Sequence, residues 1–396
     1  MKKIILSAAV AAMALSTSAF AADKGIDIVT TGQAVIYYET NTDQTANSDI
    51  FSREASEANV GVQLNLDADL GNNFTFGSQL SYLGTLGLEN TLVSGTKQNV
   101  GQATANDSLT DEIALTKIFV AKKVGNTTVK VGRQELPKSL SPFAFSEGWN
   151  VFKNTFEAGL VVNTDIKDTT IVGAYVGGAN GSVGDIADFT SFEAYMLTAQ
   201  NKSIPMTTLT GSYYNLPDDG TIMWIDAQVA GKDMPLGLKV GLQGGQVDDG
   251  TDSGTAYGAK ISLAPVKALT LQAAYSSVDD KQAMKNATGI KTPLFTQMIY
   301  NQNAIAKDND TIVVKAVYNT GDYGKIIAQY GMTSSGADSL LADNDYDELD
   351  LIYKVKSGGV TYWASAMMIN TDTAGGIIGG SEDSDLKVRL WARLAF

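Results

Sequence analysis

Residues 58–70 alternate without a break. Ala58, Val60, Val62, Leu64, Leu66, Ala68 and Leu70 stand against Asn59, Gly61, Gln63, Asn65, Asp67 and Asp69. Successive side chains of an extended strand point to opposite faces, so this run carries one apolar and one polar face. Gly71-Asn72-Asn73 then supplies a tight hairpin turn. Phe74, Phe76, Leu80 and Tyr82 resume the apolar set against Thr75, Gly77, Gln79 and Ser81. The last run is sharper still. Leu386, Val388, Leu390, Ala392, Leu394 and Phe396 share one face, and Lys387, Arg389, Trp391 and Arg393 share the other.

Similar runs recur near 28–38, 113–124, 127–134, 157–165, 170–177, 192–200, 206–215, 222–230, 236–245, 256–263, 268–276, 311–318, 323–331, 346–355 and 360–369. Together they predict about 18 strands, with 16 left open because the run at 113–124 has no clean polar face. The connections alternate in length. Short ones fall at 71–73, 125–126, 166–169, 201–205, 231–235, 264–267, 319–322 and 356–359. Long ones fall at 39–57, 84–112, 135–156, 178–191, 246–255, 277–310, 332–345 and 370–385, and Pro217-Asp218-Asp219-Gly220 is the short exception among them.

A chain with short turns at one end and long loops at the other matches a barrel inserted into a membrane from one side. A soluble β-sandwich has no reason to sort its loops in this way. A closed barrel of about 18 strands has a lumen too wide for side chains to fill, so the polar face lines water and the apolar face meets lipid. Exchanging the faces of the last strand would put three cations into lipid, at roughly 2–4 kcal/mol each near the midplane, so its register is strongly fixed. The fold class expected is all-β: an antiparallel transmembrane β-barrel, single-domain over 22–396.

Composition narrows the chemistry. The 396 residues include 39 Gly but no Cys and no His. That excludes disulfides, thiolate nucleophiles, histidine triads and HExxH zinc sites, and no GxxxxGK[ST] phosphate loop occurs. No enzymatic activity is expected. Forty-three acidic residues against 29 basic give a net charge of −14, without a basic cluster for nucleic acid. Met1-Lys2-Lys3, the apolar stretch from Ile4 to Leu15 and Ser18-Ala19-Phe20-Ala21 form a cleavable export signal over 1–21. No later segment approaches 18 consecutive apolar residues.

The alternating runs, the export signal, the absence of Cys and the terminal Phe396 together resemble a Gram-negative outer-membrane porin. The strand count resembles the 18-stranded OprD-type and campylobacter-type major outer-membrane porins. The most specific local likeness is Val129-Lys130-Val131-Gly132-Arg133-Gln134, then Pro137, Pro142-Phe143 and Asn154-Thr155-Phe156-Glu157. Trp149-Asn150-Val151-Phe152-Lys153 departs from it, lacking the Arg and Pro expected before the Thr-Phe pair. The resemblance implies a third outer loop folded into the lumen, Phe396 as a signal read by the barrel-assembly machinery, and a homotrimer among outer-membrane lipid and lipopolysaccharide. It also implies passive passage of small hydrophilic solutes and ions through a water-filled channel. The alternative is a secreted or surface-attached β-rich adhesin or binding protein, which would not need a terminal aromatic on an apolar strand face.

The segment 135–156 carries Phe143, Phe145, Trp149, Phe152 and Phe156, an aromatic load that suits a loop anchored against the barrel wall. Glu135, Lys138, Phe143, Phe145, Glu147, Trp149 and Lys153 are therefore the candidate constriction residues. The alternation turns Lys130, Lys239, Lys260, Lys315, Arg389 and Arg393 inward, with Asp67, Asp226, Glu348 and Asp350 as the inward acids. Opposed charges across a lumen sort ions, and the acidic excess favours cation preference. Tyr37, Tyr38, Tyr82, Tyr213, Tyr214, Tyr275, Tyr318, Tyr323, Tyr330 and Tyr362 sit near strand ends, as headgroup girdles require. Asp343, Asp345 and Asp347 alternate in a way that suits calcium but lack the Gly and Glu of an EF-hand loop; a solvated loop is the plainer reading.

Overall fold

In the computed structural model, the described residues are 26–396 apart from 43–48, 99–110, 149, 182–183, 286–291, 302–303, 305, 340–344 and 372–382. The export signal expected at 1–21 lies outside them. The described residues form eighteen strands: β1 (Asp27–Asn41), β2 (Ser56–Gly71), β3 (Phe74–Gly84), β4 (Glu112–Val124), β5 (Thr127–Gln134), β6 (Phe156–Asn163), β7 (Thr169–Asn180), β8 (Phe189–Asn201) and β9 (Thr207–Leu216). The second half holds β10 (Gly220–Ala230), β11 (Lys239–Asp248), β12 (Ser253–Val266), β13 (Leu269–Val278), β14 (Asn309–Asn319), β15 (Lys325–Ser335), β16 (Tyr346–Ser357), β17 (Val360–Thr371) and β18 (Asp383–Ala395).

Each strand pairs antiparallel with its neighbours in the chain, and β1 pairs with β18 to close the barrel. The seam runs from Gln33 opposite Ala395 to Asn41 opposite Lys387. Phe396 extends it: its N–H donates to Gly32 O at 3.0 Å, and Gly32 N–H donates to Phe396 O at 2.7 Å. A Cβ at Gly32 would lie 2.5 Å from the Phe396 ring, so only glycine leaves room for that ring on the outer wall.

The faces fall as the alternation requires. Ile36, Val131, Ile225, Leu242 and Leu271 are exposed on the outside. The inner face is laced by polar side chains, among them Gln63 to Gln79 at 3.1 Å, Thr198 to Ser212 at 2.8 Å and Thr311 to Thr333 at 2.9 Å.

Two departures have physical causes. The register of β4 slips against β3, because Gln79 faces Lys117 while Leu80 faces Leu115. Thr116 is the inserted residue of this bulge, and its hydroxyl bonds Ser81 and Gln79 on the lumen side. The bulge switches parity within one strand. Ile113 and Leu115 before it and Ile118 and Val120 after it all face outward, which is why 113–124 shows no clean polar face. The second departure concerns the girdle. Tyr37 and Tyr214 are buried on the lumen side, a correction to their placement at headgroup depth. Tyr37-Tyr38 and Tyr213-Tyr214 are adjacent pairs, and one member of each must point inward.

A barrel this wide cannot build its core from wall residues alone. The largest apolar cluster lies inside it, where Leu136, Phe143, Ala144 and Phe156 pack against Val172, Val176, Met196, Tyr214 and Trp224. The expected stability signature is asymmetric. Lipid-facing Ile225→Lys costs about 2–4 kcal/mol in urea unfolding from lipid vesicles. Lumen-facing Thr208→Lys leaves the midpoint close to that of the unsubstituted protein; equal losses would contradict the assigned faces.

Candidate functional site in the barrel lumen

The third outer loop, 135–155, leaves the top of β5 and crosses the barrel. At its root the Glu135 carboxylate bridges Lys117 of β4 and Lys153 near the loop's end, each at 2.8 Å. Burial disfavours that charge, but the two ammonium groups outweigh it and hold the carboxyl below its ordinary range. Inside the loop, Asn154 accepts from Glu147 N–H at 2.9 Å and donates to Phe145 O at 3.3 Å, which fixes the returning chain.

One shoulder of the loop docks on β9 and β10. Phe143 N–H donates to Tyr214 OH at 3.2 Å. The Phe143 ring meets Tyr214 and Trp224 edge-on, with centroids 5.8 and 5.4 Å away. Phe145 is fully buried, with Lys138 Nζ 4.7 Å from its ring centre. The other shoulder docks on the wall beyond the seam. Arg393 of β18 donates to Val151 O at 2.9 Å, and the Phe152 ring lies over Gly61 of β2. Strands β10 and β18 stand on opposite sides of β5, so a loop touching both spans the lumen. Trp149 lies outside the described residues.

Two more loops enter the lumen, and the periodicity gave no sign of them. From the β3–β4 connection, Gln98 exchanges hydrogen bonds with Asn59 and accepts from Phe152 N–H at 2.9 Å. From the β13–β14 connection (residues 279–308), Thr292 O accepts from Lys138 at 2.8 Å. Gln243 of β11 then clamps this chain, donating to Pro293 O at 3.0 Å and accepting from Phe295 N–H at 2.7 Å. Farther along, Tyr300 N–H donates to Glu348 of β16 at 2.9 Å. The dense apolar run Pro293-Leu294-Phe295, with Met298-Ile299-Tyr300, was the available signal that this connection is not bathed in water.

The β3–β4 and β13–β14 connections meet in one buried ionic cluster. Glu39 of β1 pairs with Arg389 of β18 at 2.7 Å and with Lys97 at 2.6 Å. Tyr37 donates to Glu39 at 2.8 Å, and Tyr300 OH also bonds Glu39. Burial and the adjacent Glu39 carboxylate push the Tyr300 phenol well above its ordinary range.

The other inward candidates sort by partner. Lys130 lies 3.6 Å from the Phe119 ring centre and Lys260 lies 4.0 Å from that of Phe295. Both oxygens of Asp226 accept from Gln228 at 3.1 Å. Lys239 and Lys315 take inward positions by register, opposite Ser262 and Gln329. Glu348 and Asp350 are fully buried: Tyr300 and Tyr346 donate to the first and Gln329 to the second. Arg393 also bonds Gln33 at 2.8 Å. Arg389, Glu348 and Asp350 therefore anchor loops, whereas Lys130, Asp226 and Lys260 line open space.

Two of the lumen cavities flank the third loop. One of about 670 Å³ is lined by Lys138, Gln200, Asp226, Lys260 and Phe295. The other, of about 410 Å³, is lined by Lys354, Arg389, Arg393 and the Trp363 and Trp391 rings, which stack 5.5 Å apart. Glu147 lines both. Burial lowers the pKa of Lys138, which Glu147 and Asp226 oppose.

Of the acidic triplet, Asp343 lies outside the described residues, Asp345 precedes β16, and Asp347 sits in β16 opposite Met332 on the outer face. The assembly-signal candidate Phe396 is outward and half exposed.

Breaking the ionic cluster has a defined expected cost. Glu39→Gln leaves Arg389 buried without its carboxylate, a loss of about 3–5 kcal/mol. The temperature at which the folded band gives way to the unfolded one on gels should fall accordingly; an unchanged transition would show that the pair contributes nothing.

A family model for the Campylobacter major outer membrane protein matches residues 1–230. Among curated proteins nothing matches. Among solved structures, OccK8 (OprE) of Pseudomonas aeruginosa has 16% identity and a TM-score of 0.74, over 93% of this chain and 98% of its own. Acinetobacter baumannii OccAB2 has 13% identity and a TM-score of 0.74, over 93% and 98%. Pseudomonas aeruginosa OpdK, solved with vanillate, has 13% identity and a TM-score of 0.73, over 93% and 98%. At these identities the likeness is one of fold.

Proposed function

On the premise that this chain belongs to the Campylobacter major outer membrane protein family, we propose that it is a water-filled channel passing small hydrophilic solutes and ions passively across a Gram-negative outer membrane. The observation that carries the reading is the polar inner face crossed by the third loop, with a cavity on either side and Glu147 at their junction. Wall and loop leave a narrow aqueous path between charged side chains. Export with loss of residues 1–21, insertion by the barrel-assembly machinery and assembly as a homotrimer in a lipopolysaccharide-containing leaflet belong to the same reading.

Ion preference follows from two opposed fields. Acidic residues crowd the outer loops, with Asp185, Asp188, Asp218, Asp219, Asp248, Asp249 and Asp252 among them. They concentrate cations at the mouth. Within the lumen, Lys138, Lys260, Lys354 and Arg393 line the two cavities and oppose that preference. The mouth field acts at range, and its reach shrinks from about 10 Å at 0.1 M salt to about 3 Å at 1 M. Cation preference is therefore a low-salt property of this channel.

Single-channel recording in planar bilayers under a salt gradient tests the whole reading. Stepwise currents are expected, closing in threes, with a cation-selective reversal potential at low salt that falls toward zero as salt rises. A folded barrel that never conducts would overturn the channel; a preference independent of salt would assign selectivity to the lining alone. Calcium held by Asp343, Asp345 and Asp347 is a separate part of the proposal. It predicts that chelation lowers the dissociation temperature of the oligomer, and an unchanged temperature would remove it.

A further inference from the structure

Glycine on the inner face of a membrane strand is costly for the strand, since it adds nothing to cross-strand packing and weakens the extended conformation; where it is used, something approaches the backbone closely. Three lumen-facing glycines stand out here. Gly61 of β2 faces Val35, Gly241 of β11 faces Gln228 and Lys260, and Gly331 of β15 faces Val313 and Glu348. Each is covered by one large side chain from a loop: Phe152 on Gly61, Phe295 on Gly241 and Met298 on Gly331. A Cβ at Gly241 would lie 2.8 Å from the Phe295 ring, and at Gly61 and Gly331 it would run into Phe152 and Met298 more closely still. On the outward face, by comparison, Gly159, Gly173 and Gly211 have nothing within 4 Å of the place a Cβ would take. Lumen-facing Gly77 and Gly245 are met instead by Phe119 and Trp224 of the neighbouring strands, whereas Gly61, Gly241 and Gly331 are filled from loops.

Polar clamps stand beside these contacts. Phe152 N–H donates to Gln98 at 2.9 Å, and Phe295 N–H donates to Gln243, two residues along the strand from Gly241. Lys260, opposite Gly241 in the register, lies 4.0 Å from the Phe295 ring centre. Met298 is buried at 2% exposure, two residues before the Tyr300 anchor. The third loop is thereby seated on one wall, and the loop between β13 and β14 is seated at two points on another.

We infer that Phe152, Phe295 and Met298 are positioning residues: seated in the sockets left by Gly61, Gly241 and Gly331, they hold the two loops across the lumen and so set the aperture of the channel. The inference rests on the channel reading proposed above. It assigns the width of the path to three apolar contacts, apart from the charged groups that sort ions along it.

The experiment compares the unsubstituted protein with Gly241→Ala, Phe295→Ala, the double variant and Gly173→Ala. Each is measured for heat-modifiable migration, single-channel conductance and the largest polyethylene glycol that enters the pore. Gly241→Ala is expected to raise conductance roughly two-fold or more and admit larger polymers, because current follows the open cross-section. Phe295→Ala should do the same, and the double variant should add nothing, since both changes undo one contact. Gly173→Ala should leave conductance unchanged. If Gly241→Ala fails to fold, Phe295→Ala, which introduces no clash, carries the test alone. A conducting, folded Phe295→Ala with unaltered conductance and polymer limit would overturn the inference, as would a fully additive double variant. If the unsubstituted barrel folds but does not conduct, the channel reading fails instead, so the two failures are separable.

Discussion

Inside a bilayer no water is present to satisfy a backbone N–H or C=O, and each group left unpaired costs several kcal/mol. That constraint governs every other feature of this barrel. It demands that β1 find β18, that every strand have two antiparallel neighbours, and that Phe396 pair its main chain with Gly32. Once closure is imposed, strand parity decides the rest. The face carrying Leu386 to Phe396 meets lipid, and Lys387, Arg389 and Arg393 have only the lumen in which to stay hydrated or paired.

Closure also creates the interior problem. Eighteen strands enclose more space than wall side chains can fill. The chain answers with its own connections, which bring Phe143, Leu294 and Phe152 into apolar clusters of the sort found in soluble proteins, placed inside the tube. Charged groups then serve two ends. Glu39, Arg389 and Lys97 satisfy one another and tie two loops to the seam, while Glu348 of β16 holds the backbone of Tyr300. The groups left along the cavities, Lys138, Asp226, Lys260 and Lys354 among them, remain beside the solute path.

How far the sequence discloses this depends on the range of the interaction. Strand number, faces and the alternation of short and long connections are local, period-two properties, and all eighteen runs correspond to strands. The third loop was legible because its aromatics had no good reason to be in water. The run at 113–124 was ambiguous because a single bulged residue, Thr116, reverses parity in mid-strand. Tyr37 and Tyr214 were misplaced by residue type when parity already forbade it. The insertion of residues 292–301, by contrast, depends on partners some 50 positions away, such as Gln243 for Phe295 and Glu348 for Tyr300. Pairings of that separation leave no periodic mark.

The seam between β1 and β18 has a consequence for how the molecule is made. Its partners, Gln33 and Ala395, lie at opposite ends of the polypeptide, so no fragment emerging from synthesis holds both edges of the sheet. The barrel cannot close alongside translation. Closure must wait until the final strand is available, and a chain cut short before β18 would present two open edges to the membrane. The closing strand thus acts as an inspection step: only an intact polypeptide can shut the tube.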